Sequence, residues 1–226
     1  MTAIFVTATG TDVGKTFIAT GLIRHIRAAG RPVDAIKPVV SGFDPAAWHE
    51  SDPAALLAAL ARPLSLDEVG RISPWRFAAP LSPHMAARRE GRTIDFQELT
   101  EFCRRAITGC PGVLLIEGIG GVMVPLDERR TVLDWMSVLR IPIILVAGSY
   151  VGTISHSLTA LEVLARRNLD IAAVVVSESE ASAASLADTV ATIARFADAL
   201  DVIGIARATA GASDDAAFAR LAALIG

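Results

Sequence analysis

An excess of charge of one sign is missing from this sequence: 21 Lys and Arg stand against 24 Asp and Glu, a formal net charge of −3. No long-range field favours polyanions, and no Lys/Arg block exists that could track a phosphate backbone. Nucleic acid and anionic membrane surfaces are therefore not expected partners. Long apolar runs are missing too. None approaches the ~20 residues a membrane helix needs. The start, Met1-Thr2-Ala3-Ile4-Phe5-Val6, carries no basic n-region and no long apolar h-region. Cysteine is scarce, with only Cys103 and Cys110. No second Cys/His pair lies near them, so a zinc site is not expected. Both read as reduced thiols of a cytoplasmic protein. Internal repeats, linkers and low-complexity tracts are also absent.

What is present is hydrophobic: 52% of residues, much of it alanine, which suits helices packed closely on a sheet. Apolar runs recur at Ile4–Ala8, Val33–Lys37, Val113–Glu117, Pro142–Ala147, Ile171–Val176 and Val202–Ala206. They are apolar nearly throughout rather than alternating, as strands covered on both faces should be. Helical patterns lie between most of them, at Lys15–Ala28, Phe96–Ile107, Val132–Leu139, Ile154–Arg167 and Ala183–Leu200. This rhythm predicts an α/β fold, a mostly parallel sheet flanked by helices on both faces. The length suits one domain spanning 1–226. The least regular stretch, 41–92, has prolines at 45, 53, 63, 74, 80 and 83. It is expected to be an active-site insertion with a short helix near Pro53–Ala61, not a second domain.

Thr9-Gly10-Thr11-Asp12-Val13-Gly14-Lys15-Thr16 follows the first strand and opens the first helix. The usual phosphate-binding loop runs Gly, four residues, then Gly-Lys-Ser/Thr. Thr9 takes the first glycine's place, and the Gly14-Lys15-Thr16 core is intact. Unpaired backbone N–H groups at a helix start converge on an anion, aided by the helix dipole. Lys15 adds charge toward the β- and γ-phosphates, and the Thr16 hydroxyl can hold Mg²⁺. The alternative is a glycine turn before an amphipathic helix, which the strand–loop–helix context disfavours.

Two charged residues end apolar strands, where open α/β sheets bind ligands. Lys37 there is either functional or snorkelling to solvent. Two lysines beside one phosphate would stabilise charge developing in transfer. Glu117 has few bland uses, because burying an unpaired carboxylate is costly. It is a Mg²⁺ ligand, or else a helix cap or the ion-pair partner of a nearby lysine. Gly118, Gly120 and Gly121 would let backbone approach phosphates closely. Ser51-Asp52-Pro53 reads as a helix start with Asp52 as cap. Gly152-Thr153-Ile154-Ser155, after the fourth main strand, is a second candidate anion site at a helix start, or simply a cap. His84 reads as structural. Cys103 and Met136 read as helix packing.

The loop Phe5–Thr16 resembles that of the dethiobiotin synthetase family, as do Lys37-Pro38-Val39-Val40-Ser41-Gly42, Ser51-Asp52, Ser82-Pro83-His84 and Glu117-Gly118-Ile119-Gly120-Gly121. The order and spacing match over nearly the whole chain, and the combination is specific. The resemblance implies a P-loop NTPase fold and ATP as co-substrate. It implies Lys37 and Lys15 as catalytic lysines, and Thr16, Asp52 and Glu117 as ligands of Mg²⁺. Nucleotide contacts would fall on Asp12, Val13, Gly14, Lys15, Thr16, Phe17, Asp52, Glu117, Gly118, Ile119, Gly120, Ser177 and Arg207. Thr11 and Ser41 would contact the substrate. Gly152, Thr153, Ile154 and Ser155 would hold the substrate's tail carboxylate, mostly by backbone donors, across a homodimer interface.

The family reaction takes 7,8-diaminopelargonic acid and carbon dioxide, supplied by bicarbonate, and closes a ureido ring at the expense of the triphosphate. The pattern departs in places. Many members read the base with an Asn where this chain has Val175-Val176-Ser177-Glu178-Ser179. The Asp usual in the loop is Gly10. Ser155 stands for a common Asn, and Tyr150 for a basic residue in some members. Two other classes fit the sequence less well. A cobyrinic-acid-type amidase would need a glutaminase domain. A ParA/MinD-type partitioning ATPase would need an early loop lysine that Thr9-Gly10-Thr11 lacks.

Overall fold

A computed structural model describes residues 2–180, 182, 184–207 and 214–225. Its strands and helices run, in order, β1 Thr2–Ala8, α1 Lys15–Ala28, β2 Val33–Ile36, β3 Val39–Ser41, α2 Asp52–Ala59, α3 Leu66–Ile72, β4 Trp75–Phe77, α4 Pro83–Arg89, α5 Phe96–Gly109, β5 Val113–Glu117, α6 Val132–Leu139, β6 Ile143–Gly148, α7 Thr153–Arg166, β7 Ile171–Ser177, α8 Leu186–Phe196, β8 Val202–Ile205 and α9 Asp215–Leu224. A 3-10 turn, Trp48–Glu50, precedes α2.

Six strands form one parallel sheet in the order β2-β5-β1-β6-β7-β8. β1 is central, and the strand order reverses on either side of it. The crevice at that reversal is where doubly wound sheets take ligands, and the loop from β1 to α1 opens there. β5 and β6 are buried at every position, β1 at all but its first. Their near-continuous apolar runs need cover on both faces, and helices supply it. α1 offers Ile18, Leu22, Ile23 and Ile26 at the three- and four-residue spacing of one face. It packs against α2 and α9, α5 against α6, and α7 against α8. Phe5 and Trp135 meet edge to face at 4.9 Å in the core. Cys103 and Met136 are buried as expected. Burial pushes the Cys103 thiol up to about 12.

The 41–92 stretch is more regular than expected. It holds α2, α3, α4 and β4, which pairs in parallel with β3 at the start of the stretch to make a second, two-stranded sheet. Two of its six prolines sit at helix starts, where the missing N–H costs nothing: Pro53 in α2 and Pro83 in α4. The stretch frames the turn after β2. Lys37 N–H donates to Ile72 O at 3.1 Å, and Trp75 N–H to Pro38 O at 3.0 Å. Arg62 pairs with Asp34 at 2.9 Å and with Glu68 at 2.5 Å, tying α2 and α3 to β2.

Some boundaries shift. β2 stops at Ile36, leaving Lys37 beyond the ladder. α8 is shorter than the Ala183–Leu200 pattern, of which Ala183 lies outside the described residues. It ends at Phe196, and Asp198 and Ala199 follow with φ of 40° and 65°. α9, which buries Phe218, Leu221 and Ala222 on one face, was not expected.

Candidate active site

The loop between β1 and α1 turns on two left-handed residues, Asp12 at φ 57° and Gly14 at φ 99°. Gly14 is needed twice over: a Cβ there would be strained, and would lie 2.6 Å from Ser177 Oγ. Gly14 is also the N-cap of α1 and uses no side chain, so the first amides of α1 face the crevice. Lys15 curls back, its Nζ 3.2 Å from Gly10 O. Thr16 Oγ1 donates to Glu117 Oε1 at 2.7 Å.

Lys37 does not snorkel. It is 4% exposed, and its Nζ lies 2.5 Å from Asp52 Oδ2 and 2.5 Å from Glu117 Oε1. Burial opposes its charge, but Glu117 and then Asp52 outweigh burial and hold its pKa above the ordinary lysine value. Asp52 is held below the ordinary carboxyl value: burial works against this, and the Lys37 charge prevails. Lys15 is brought down to about 8 by burial and then by the Lys37 charge, against the pull of Glu117, Asp52 and Asp12.

Asp52 is not a cap. Ser51 holds the N-cap position of α2, and the Asp52 side chain reaches Lys37 instead. Glu117 makes the ion pair that was its bland alternative. Its second oxygen, Oε2, is buried with no hydrogen-bond partner, in a residue 1% exposed. An orphaned carboxylate oxygen is costly unless something pairs with it. Among the described residues no three His, Cys, Asp or Glu side chains form a metal cluster. The chain thus offers two carboxylates and a hydroxyl, a partial oxygen set. That is the donor chemistry of Mg²⁺, which completes its shell with phosphate and water.

One cleft of about 390 Å³ is lined by Thr11, Asp12, Gly14, Lys15, Thr16, Phe17, Lys37, Val40, Ser41, Asp52, Ile119 and Gly120. Glu117 lies at its floor through its bonds to Thr16 and Lys37. Gly118 is bound to the sheet, its N–H on Val6 O at 2.9 Å. A second cavity of about 520 Å³ opens on the other side of the loop, lined by Asp12, Val13, Gly14, Phe17, Ser177, Glu178, Ser179, Glu180 and Arg207. Ser177 and Arg207 therefore fall together. Of the loop after Arg207, Ala208 and Thr209 lie outside the described residues.

Gly152, Thr153, Ile154 and Ser155 line neither space. They open α7, with Gly152 as a left-handed N-cap at φ 96°. The Thr153 hydroxyl is spent on Gly148 O at 2.7 Å. His84 bonds Ser82 at 3.0 Å. Val40, Glu178, Ser179 and Glu180 line these spaces without having been expected as contacts. Glu178, Ser179 and Glu180 directly follow the carboxyl end of β7, the signal that did flag Lys37 and Glu117 on their own strands.

A glycine-turned loop running from a central parallel strand into a helix, with a lysine and a threonine opening that helix, defines the P-loop nucleotide-binding class. The fold is shared with the cell-division ATPase MinD of Pyrococcus furiosus: TM-score 0.54, 15% identity, covering 100% of this chain and 98% of that one. A ParA family ATPase of Chlorobium tepidum gives 0.54 at 13% identity over 92% and 84%. Residues 2–216 match the family described as an AAA domain. The ATP-dependent dethiobiotin synthetase BioD of Caulobacter vibrioides is 54% identical over 79% of this chain and 81% of its own length. Those of Acidiphilium cryptum and Methylobacterium nodulans are 51% and 46% identical, over 80% and 87% of this chain and 81% and 90% of their own. The chain belongs to the dethiobiotin synthetase family.

Among the described residues no helix is long and apolar enough to cross a membrane.

Proposed function

We propose that this cleft carries out the ATP-dependent synthesis of dethiobiotin: a diamine, 7,8-diaminopelargonic acid, is closed into a ureido ring with carbon dioxide. The observation that carries the reading is the meeting of Lys15, Thr16, Lys37, Asp52 and Glu117, drawn from separate loops into one cleft.

Carbon dioxide adds to one amine and gives a carbamate. A carbamate oxygen attacks the γ-phosphorus and ADP leaves, forming a carbamic–phosphoric anhydride. The second amine attacks the carbonyl carbon and expels phosphate. No step needs a nucleophilic side chain, so the protein's work is positioning and charge stabilisation. The α1 amides and Lys15 hold the β- and γ-phosphates. Lys37 is fixed by two carboxylates at the cleft floor, where its ammonium can meet charge on the transferring group. Thr16, Asp52 and Glu117 would hold Mg²⁺, which neutralises phosphate oxygens when bound. Thr11 and Ser41 face the diamine. The nucleotide base fills the cavity of Ser177 and Arg207. The amides of Gly152–Ser155 take the tail carboxylate of a substrate bound by the second subunit of a homodimer, which accords with their lying outside this chain's own cleft.

The test is phosphate release by the purified protein with ATP and magnesium. Release is expected only when 7,8-diaminopelargonic acid and bicarbonate are both supplied. Undiminished release without the diamine would overturn the reading in favour of a simple ATPase.

A further inference from the structure

We propose that Ser149 and Ser179 form a clasp that couples the nucleotide-base cavity to the tail-carboxylate loop, so that the nucleotide of one subunit and the diamino acid bound in the other strengthen each other's binding. The inference rests on the reading above.

β6 and β7 run in parallel and end together, with Gly148 opposite Ser177. Beyond that pair the two loops grip each other. Ser149 N–H donates to Ser179 Oγ at 3.0 Å, and Ser179 N–H donates to Ser149 Oγ at 2.9 Å. Ser182 Oγ donates to Ser149 O at 2.6 Å. Ser149 is 2% exposed, and its amide, hydroxyl and carbonyl are all taken by residues following β7. A Cβ on Gly148 would lie 2.7 Å from Ser179 Oγ and 2.7 Å from the Tyr150 ring, so the clasp closes only over a glycine.

Each side of the clasp leads to a different ligand. On one side Ser179 is itself wall of the base cavity, with Ser177 against Gly14 of the phosphate loop. Arg207 N–H donates to Glu178 at 3.0 Å on the same wall. On the other side Ser149 is three residues ahead of Gly152. Between them stand Tyr150, bonded to His156 at 2.9 Å, and Val151, 82% exposed. A base in the cavity adds contacts to the wall that holds the Ser149 amide and hydroxyl. A tail carboxylate on the α7 amides adds contacts to the loop that holds Ser179. Each ligand orders what the other needs, and such coupling is reciprocal by linkage. Ser149 and Ser179 are positioning residues in this scheme.

The experiment is calorimetric titration of the full chain with 7,8-diaminopelargonic acid, alone, with a non-hydrolysable ATP analogue, and with inorganic tripolyphosphate. Tripolyphosphate fills the phosphate loop and leaves the base cavity empty. In the wild type the ATP analogue should lower the Kd at least about fivefold, and tripolyphosphate much less. Ser179→Ala should reduce the analogue's effect to that of tripolyphosphate. Ser179→Thr, which keeps the hydroxyl, should restore it. The carboxylate-free diamine 2,3-diaminononane should show no such gain. Should Ser179→Ala fail to fold, Ser149→Ala carries the same expectation. Full coupling in the alanine variants, or tripolyphosphate matching the analogue in the wild type, overturns the clasp. A wild type that binds no diamino acid at all overturns the functional reading, and the clasp with it.

Discussion

At the phosphate end of the crevice, Lys37 touches Asp52 and Glu117, Thr16 touches Glu117, and Lys15 turns back onto its own loop. At the proposed base end, the Glu178 and Glu180 side chains meet Arg207, at 3.0 and 3.7 Å, and Arg207 and Glu180 are largely solvated. The lysines and Glu117 of the first end are buried and densely cross-bonded; the charged groups of the second stand largely in solvent, and the serines beneath them carry its backbone ties. Charge transfer needs groups held in place before the reaction. Holding a flat base needs a slot and a few hydrogen bonds. The two ends should therefore respond differently to single changes.

The largest effect is expected at Lys37. Lys37→Ala should lower turnover by about a hundred- to a thousandfold, the scale for losing one stabilising donor. It also strips Glu117 of its buried partner. Breaking such a pair costs about 3–5 kcal/mol, so thermal unfolding should come earlier, and magnesium should recover stability without recovering turnover. Wild-type-like turnover would remove Lys37 from the chemistry. A smaller effect is expected from Glu117→Gln. Its magnesium requirement should shift upward, with part of the lost activity returning in excess magnesium. An unchanged magnesium titration would take Glu117 out of the metal shell.

The sequence made the phosphate end legible because its residues carry signatures of their own. Gly14-Lys15-Thr16 opens a helix, and Lys37 and Glu117 close apolar strands. What could not be read was how they meet. Nothing local says that α3 would clamp the Lys37 amide, or that Asp52 would leave its cap position to bond a lysine fifteen residues back. Those are tertiary contacts. The six main strands were legible from their unbroken apolar runs. β3, β4, α3 and α4 were not, because short elements among prolines give no periodicity. α9 was missed because alanines all round it blur the face of Phe218 and Leu221. At the base end Glu178, Ser179 and Glu180 look like ordinary loop residues until β7 sets them at the sheet's edge.

The smallest effect belongs to the base. Ser177 offers a hydroxyl where an amide would both donate and accept. A site without that bidentate contact discriminates weakly. Turnover over half-saturation constant for ATP, CTP, GTP and UTP should therefore fall within about a hundredfold, roughly 2.7 kcal/mol. Ser177→Asn should widen the preference for ATP. A wild-type preference beyond that span would show that Glu178, Glu180 or Arg207 reads the base after all.

The central claim is that a carbamate oxygen is phosphorylated in the Lys15–Lys37 cleft, and isotope transfer tests it most directly. The protein is mixed rapidly with ¹⁸O-labelled carbon dioxide, ATP, magnesium and 7,8-diaminopelargonic acid, and quenched before the label exchanges with water. Attack by the carbamate, followed by ring closure, leaves one oxygen from carbon dioxide on the phosphate released. The account predicts ¹⁸O in that phosphate, formed in step with dethiobiotin. Phosphate carrying oxygen from water alone, with dethiobiotin still formed, would contradict it.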